Sequence, residues 1–469
     1  MLSRKVADEG ELRPTYARRG FTRAISRYEM PDGPMDPADA YRIIHDELAL
    51  DGNPELNLAT FVTTWMDDQA DRLMAETANK NAIDWDEYPQ TVELQDRCVN
   101  MLARLYHAAE HHESVGTATV GSSEAIHLAG LAMKWRWRQS RQAAGVPADR
   151  PNLVMGANVQ VVWEKFARYF DVEPRYVPLS DRRFVIGVDE AMAMVDENTI
   201  GVVAILGSTY TGEYEPVAAL NDALEASAFD APIHVDAASG GFVAPFLQPD
   251  LAWDFRLPRV RSINVSGHKY GLVYPGVGWV LWRERQDLPE ELIFTVDYLG
   301  GSHDNFGLNF SRGASQIVAQ YYNMIRLGQQ GYRDVMEALA ATARWLAAEV
   351  EGLGGFELLG RAEDLPVVCF RLAGDHPFTV FDLSDRLRQR GWIVPAYKMA
   401  PDADDIAVLR VVVREGLSAD MAAELVADLQ AAVAHLGTGN EEPAAPTRRA
   451  GQRARTPAVA TGVKTRGVC

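Results

Sequence analysis

Cysteine is scarce in this chain: Cys98, Cys369 and Cys469 are the only three in 469 residues. They lie far apart and no CxxC pair exists, so the sequence offers neither a disulfide framework nor a cysteine-rich zinc site. Thiols this sparse suit a reducing compartment, and the cytoplasm is the expected location. No apolar run approaches the roughly 18 residues of a membrane span. The first eleven residues hold Arg4, Lys5, Asp8, Glu9 and Glu11 instead of an apolar core, so no secretory signal is expected there. Arg18-Arg19-Gly20-Phe21 is followed by TRAISRYEMPDG, which has no apolar stretch, and twin-arginine export is discounted. Positive charge is in the minority, 46 basic against 65 acidic residues, formally −19 at pH 7. A general nucleic-acid binder needs a basic face, and an anionic membrane attracts basic segments. Neither partner is expected. A Walker GxxxxGK is absent, and no convincing GxGxxG follows a predicted strand.

What is present reads as an ordinary globular chain, 47% hydrophobic and 24% charged. The length corresponds to about three domain-sized units, a soft count for large catalytic domains. Residues 1–35 mix charge with Gly and Pro and read as a loose arm. A helix is predicted from Asp36-Pro37, a cap followed by proline in the first turn, to about Leu50. A second covers DEYPQTVELQDRCVNMLARLYHAAE, and a third opens at Ser122-Ser123-Glu124. From residue 152, NLVMG, TIGVVAIL, PIHVDAA, SINVSGH and GVGWVLWR alternate with helical stretches. That alternation predicts a mostly parallel sheet with helices on its faces. TIGVVAIL is apolar almost throughout, as a strand buried on both faces should be. A helical segment at 313–354 leads to a second β/α unit at about 355–438. The stretch after Gly437 has no aromatic residue, is rich in Ala, Pro, Gly, Thr and Arg, and is predicted to be disordered. Residues 441–469 carry six basic and two acidic side chains, net +4, leaving −23 on the other 440 residues.

Three motifs point to chemistry. Ser266-Gly267-His268-Lys269-Tyr270-Gly271 follows the predicted strand RSINV. A lysine held at a strand end is open to desolvation, which lowers its pKa and lets it form a Schiff base. In α/β sheets, ligands bind at the carboxyl ends of strands. The alternative is a surface lysine in a turn. Thirty-three residues upstream, Asp236 ends the apolar run of IHVDAASGG. A buried aspartate needs a cation, and the protonated ring nitrogen of pyridoxal phosphate is one. The alternative is a helix cap. Val120-Gly121-Ser122-Ser123-Glu124 opens a helix whose free N–H groups suit a phosphate, or else the serines only cap it. Together they form a phosphate cup, a ring-nitrogen carboxylate and a Schiff-base lysine, in the order of a pyridoxal-phosphate enzyme of the aspartate-aminotransferase fold type.

Longer blocks carry a resemblance. LDGNPELNLATFVTTW, NKNAIDWDEYPQ, RCVNMLARL, VGSSEA, GLAMKWRWR, TYTGEYE, HVDAASGGF, DFRLPRV, SGHKYGL, VDYLGG and NFSR resemble bacterial glutamate decarboxylases, members of the group II pyridoxal-phosphate decarboxylases. The likeness runs from about residue 40 to 438. It implies fold type I and carboxy-lyase activity, L-glutamate to 4-aminobutyrate. It implies an N-terminal arm and helix at 1–55, a large cofactor domain at 56–339, a small C-terminal α/β domain at 340–438 and a disordered basic tail at 439–469.

By that resemblance Lys269 holds the cofactor, His268 contacts its phosphate beside Ser266, and Ser122 and Ser123 bind the phosphate from the helix start. Asp236 pairs with the ring nitrogen, Thr209 and Ala238 line the ring, and Gln160 covers its face. Phe310 and Ser311 match residues given by a neighbouring subunit, which implies at least a homodimer, with hexamers known in the family. Thr60, Phe61, Asn81, Asp84 and Arg410 match substrate-selecting positions. Asp84 near a carboxylate requires one of the two to be protonated, an expectation of activity at mildly acidic pH. Arg410 could instead be a structural ion pair. A tail histidine that locks some bacterial relatives at neutral pH has no counterpart after His435, and the aromatic anchor of plant calmodulin-binding tails is missing too. His107-Ala108-Ala109-Glu110-His111 fits a zinc-peptidase HxxEH pattern, but it is polar, precedes a glycine and reads as a helix end, so no metal is expected. Two other readings stay open: a decarboxylase of the same group acting on another amino acid, and a non-catalytic pyridoxal-phosphate-binding protein.

Overall fold

The computed structural model describes residues 28–108, 115–297 and 301–438. Residues 28–54 belong to one compact unit, and the described chain from Glu55 onward forms another. In the first, helix α1 (Pro37–Leu48) begins where the sequence predicts: the Asp36 carboxylate accepts from the Ala38 N–H at 2.9 Å, and Pro37 takes the first turn, where a missing N–H costs no bond. Most of the arm and the whole basic tail lie outside the described residues.

The second unit opens with α2 (Asp68–Thr77) and α3 (Pro89–Leu105). Its large sheet contains β1 (Val115–Thr119), β2 (Asn152–Gly156), β3 (Glu173–Val177), β4 (Thr199–Ile205), β5 (Ile233–Asp236), β6 (Val260–Val265) and β7 (Gly278–Trp282), in the order β1-β7-β6-β5-β4-β2-β3. The five strands from β6 to β3 pair parallel, and β7 runs antiparallel to both its neighbours. Helices α4 (Ser122–Ala143), α5 (Val161–Tyr169), α6 (Val188–Met192), α7 (Val217–Glu225) and α8 (Ala244–Leu247) lie between these strands in the chain. Every residue of β4 is buried, as its apolar run requires. Strand β3, Glu-Pro-Arg-Tyr-Val, gave no strand signal because it is an edge strand with polar residues, where proline is tolerated.

A hairpin of β8 (Phe294–Val296) and β9 (His303–Asn305) precedes α9 (Ser315–Gly352). Gly328 breaks α9 into two helical halves at φ 58°, a left-handed conformation that favours glycine. The smaller sheet, β10 (Phe356–Leu359), β11 (Val367–Leu372), β12 (Ala396–Lys398) and β13 (Ala407–Val412), is antiparallel in the order β10-β11-β13-β12. It carries α10 (Val380–Arg388) and α11 (Ala419–Gly437). One apolar cluster extends from Leu58 and Ala118 through Val235 and Ile263 to Val411 and Leu429, so both sheets share a core. The boundary expected near residue 339 falls inside α9.

Candidate active site

Strands β4, β5 and β6 are neighbours and parallel, so their carboxyl ends open on the same side. A cavity of about 330 Å³ lies there, facing the first turn of α4. Ser122 and Ser123 line it from the helix, Gln160 from the start of α5 and Thr209 from the loop after β4. Asp236 and Ala238 enter from the end of β5, and Ser266, His268 and Lys269 from the end of β6. Nine expected cofactor residues therefore surround one space.

Lys269 Nζ donates to Ser239 Oγ at 3.1 Å and sits 5.2 Å from the centre of the Phe61 ring. Burial lowers its pKa to about 8, against the pull of Asp236 and with a further push from Arg410. The amine thus comes within reach of its neutral, nucleophilic form near physiological pH. Its segment is fixed from behind: Thr63 Oγ1 donates to the Lys269 carbonyl at 2.7 Å, and the Thr63 N–H to that of His268 at 2.9 Å.

Asp236 is buried and fully dressed. Oδ2 accepts from the Trp163 indole N–H at 2.9 Å; Oδ1 accepts from Asn264 Nδ2 at 3.1 Å and from the Ala238 N–H at 3.2 Å. Oδ2 keeps a free lone pair, and Asp236 borders the cavity. Trp163 and Asn264 were not foreseen among the site residues.

The phosphate cup is tightly packed. Ser122 Oγ and Ser266 Oγ are 2.6 Å apart. Gly121, at φ 155°, lets the His268 ring come close: a Cβ there would lie 3.2 Å from its Cε1. Burial, then the charge on Lys269, lowers the His268 pKa to about 4, so the ring is neutral at pH 7. Its Nδ1 is buried with no hydrogen-bond partner among the described residues. A buried orphan nitrogen beside a helix N-terminus and two hydroxyls fits a phosphate group.

Arg410 is buried, and the expected alternative of an ion pair is not what the structure has. Its guanidinium donates to the Thr209 carbonyl and, at 2.6 Å, to that of Ala59. It lies 5.0 Å from the Phe61 ring and 5.5 Å from the Tyr397 ring. Its Nε is buried without a partner, and no carboxylate pairs with it among the described residues. A desolvated cation in that condition is a site for an anion. Thr60 and Phe61 belong to the same segment as Ala59, and Thr60 Oγ1 accepts from the Val62 N–H at 3.0 Å.

Asn81, Asp84 and Ser311 form a separate group that does not line this cavity. Asn81 Nδ2 donates to Asp84 Oδ1 at 3.1 Å and reaches Ser311 Oγ at 3.5 Å, while Asn81 Oδ1 accepts from the Arg312 N–H at 3.1 Å. Gln160 borders the cavity, but its Oε1 accepts from the Val162 N–H at 2.7 Å, capping α5. His107 of the HxxEH pattern faces Asp254 at 2.9 Å; Glu110 and His111 lie outside the described residues.

A lysine and a carboxylate at adjoining strand ends, opposite a helix N-terminus on a mostly parallel sheet, define a pyridoxal-phosphate enzyme of fold type I. Residues 30–373 match the model of the pyridoxal-dependent decarboxylase conserved domain. The chain belongs to the pyridoxal-dependent decarboxylase family, and pyridoxal phosphate is its cofactor. It is 53% identical to a glutamate decarboxylase of Solanum lycopersicum over 94% of this chain and 88% of that one. It is 49% identical to one from Aliivibrio fischeri over 91% and 94% of the two chains. The solved glutamate decarboxylase of Lactobacillus brevis superposes with a TM-score of 0.87 at 46% identity, covering 91% of this chain and 98% of that one.

Proposed function

We propose that this chain is a glutamate decarboxylase, a carboxy-lyase converting L-glutamate to 4-aminobutyrate and CO₂. One observation supports it above the rest: Lys269, Asp236 and the start of α4 converge on one cavity in a chain 53% identical to a glutamate decarboxylase over 94% of its length. When bound, pyridoxal phosphate supplies an electron sink for the pair left on Cα as CO₂ departs. The remaining work falls to the chain. Lys269 Nζ, with its pKa near 8, would hold the cofactor and yield its place to the substrate amine. Ser122, Ser123, Ser266 and neutral His268 would hold the phosphate, with the α4 dipole adding to them. Asp236, held in place by its three donors, would pair with the ring nitrogen and keep a proton there. Thr209, Ala238 and Gln160 would flank the ring.

Arg410 would bind a substrate carboxylate, while Phe61 keeps water from the Lys269 side. Thr60, Asn81 and Asp84 would complete substrate selection. Ser311 lies with Asn81 and Asp84 outside the cavity, which supports a site completed by a second copy of the chain, at least a homodimer. A cytoplasmic location is supported by Cys98 and Cys369, both buried free thiols; no described helix is long and apolar enough to cross a membrane. The motif blocks quoted above support reading the chain as a bacterial member of the family, which has plant and bacterial relatives at 53% and 49% identity. The boundary at 339/340 remains our division between large and small domains.

The test is direct. Purified protein supplied with pyridoxal phosphate is given glutamate, aspartate or tyrosine in turn. Release of CO₂ and 4-aminobutyrate from glutamate alone is expected; turnover of another amino acid in preference, or none, overturns the assignment.

A further inference from the structure

The face of the large sheet beneath α4 and α5 is lined with apolar side chains, Leu153, Met155, Val203 and Ile205 among them. Four polar side chains interrupt it in a square. In the parallel register of β5 and β6, His234 stands opposite Ser262 and Asp236 opposite Asn264. Because side chains alternate along a strand, residues two apart share a face. All four are buried, His234 and Asn264 at 0% exposure. Buried polar groups in such a setting are costly unless every bond is made.

The bonds are made, and in one direction only. A carboxylate only accepts, so Asn264 must turn its Nδ2–H to Asp236 Oδ1, at 3.1 Å. That leaves Asn264 Oδ1 facing His234 Nε2 at 2.7 Å, so Nε2 carries the proton and donates. His234 Nδ1 then offers its lone pair, and Ser262 Oγ, 2.7 Å away, donates to it. Trp163 closes the arrangement, its ring centre 5.3 Å from that of His234 and its N–H on Asp236 Oδ2. Burial lowers the His234 pKa to about 4, in keeping with a neutral ring.

We infer that His234 is a positioning residue for the cofactor's pyridine nitrogen, acting through Asn264 to fix the Asp236 carboxylate in place. The inference rests on the reading that Asp236 meets that nitrogen. Ser262 sets the His234 tautomer, His234 sets the Asn264 amide, and Asn264 sets the carboxylate. The unused lone pair of Oδ2 is thereby left facing the cavity. Without the His234 donor, Asn264 Oδ1 is a buried acceptor with nothing to accept, and the amide loses its reason to keep its orientation.

The test compares His234→Leu, His234→Gln and Ser262→Ala in the full-length holoenzyme. The dissociation constant of pyridoxal phosphate is measured by equilibrium dialysis, alongside the visible absorbance of the bound cofactor across pH. His234→Leu should weaken cofactor binding by about tenfold or more and shift the pH at which the visible band changes. His234→Gln, whose amide can still donate to Asn264, should stay within about threefold of wild type. Binding by His234→Leu equal to wild type, or His234→Gln as damaged as His234→Leu, overturns the relay. Should His234→Leu fail to fold, Ser262→Ala decides: a weakened constant with a shifted band supports the relay, and wild-type values for both overturn it. A wild-type chain that binds no cofactor overturns the functional reading as well; one that binds it while the variants match it overturns the relay alone.

Discussion

The Trp163 indole N–H and the Asp236 carboxylate meet at 2.9 Å beneath the cavity, across 73 residues of sequence. The contact ties the start of α5 to the end of β5. Trp163→Phe keeps the aromatic bulk and removes only the donor, leaving Asp236 Oδ2 one bond short. Loss of a bond to a buried charged group costs about 1–3 kcal/mol. We expect the variant to fold and to hold pyridoxal phosphate about tenfold less tightly, and an unchanged dissociation constant would falsify the role given to Trp163.

Lys269→Met should abolish turnover and the visible band of the bound cofactor. It also carries a stability signature in cofactor-free protein. The folded pKa of Lys269 is lowered from 10.5 to about 8, so between those values the unfolded chain holds the extra proton. Stability from this group is therefore complete above 10.5 and lost as pH falls to 8. Each unit is worth about 1.4 kcal/mol before solvent screening, which reduces it here because Nζ faces an open cavity. Lys269→Met should gain most over wild type below pH 8, converging on it near pH 10.5. Melting curves that stay parallel over this range contradict the burial of the ammonium.

Legibility in the sequence followed the range of the interaction. Lys269, Asp236 and Ser122 could be found because each sits at a strand or helix end marked by glycine or by an apolar run breaking off. β4 was plain because burial on both faces leaves nothing polar in it. β3 was hidden by its edge position, and the antiparallel orientation of β7 by its being as apolar as the parallel strands of the sheet. Trp163 and Asn264 escaped because their roles depend on partners 73 and 28 residues away. One local sign did exist: IHVD and SINV each carry polar side chains two apart in otherwise apolar strands, a buried polar stripe that must be satisfied by a neighbour. The separation of Asn81, Asp84 and Ser311 from the cavity is a three-dimensional fact that no spacing in the chain expresses.

Arg410 makes a prediction about anions. Its guanidinium is held by two backbone carbonyls and two aromatic rings, and no carboxylate pairs with it among the described residues. A dicarboxylate without an amine, such as glutarate, should raise the melting temperature of the holoenzyme and compete with glutamate. Arg410→Met should lose both effects and raise KM by about tenfold or more, since a charge-assisted bond to a carboxylate is worth about 1.5–3 kcal/mol. Equal protection by glutarate in both proteins would remove Arg410 from substrate binding.

The acid side of the stability curve sets two groups against a third. His234 and His268 are lowered by burial from 6.5 to about 4, so each contributes stability that is complete above 6.5 and lost as pH falls to 4. Glu215 works the other way. Burial raises it from 4.5 to about 7, against the bonds it accepts from the N–H groups of Ile205 and Ile186 and from Asn158. The folded chain keeps that proton where the unfolded chain has shed it, so its contribution is complete below 4.5 and lost as pH rises through 7. Acidification from 7 to 4.5 thus makes Glu215 offset part of what the histidines lose. At about 1.4 kcal/mol per unit, each group carries roughly 3 kcal/mol across its window. Glu215→Gln removes the offset, and its melting temperature without cofactor should fall more steeply between pH 7 and 4.5 than that of wild type. His234→Leu removes one of the losses, and its curve should be shallower over the same range. Three parallel curves would mean that neither Glu215 nor His234 changes its proton on folding, and that their burial does not govern the acid response of the cofactor-free protein.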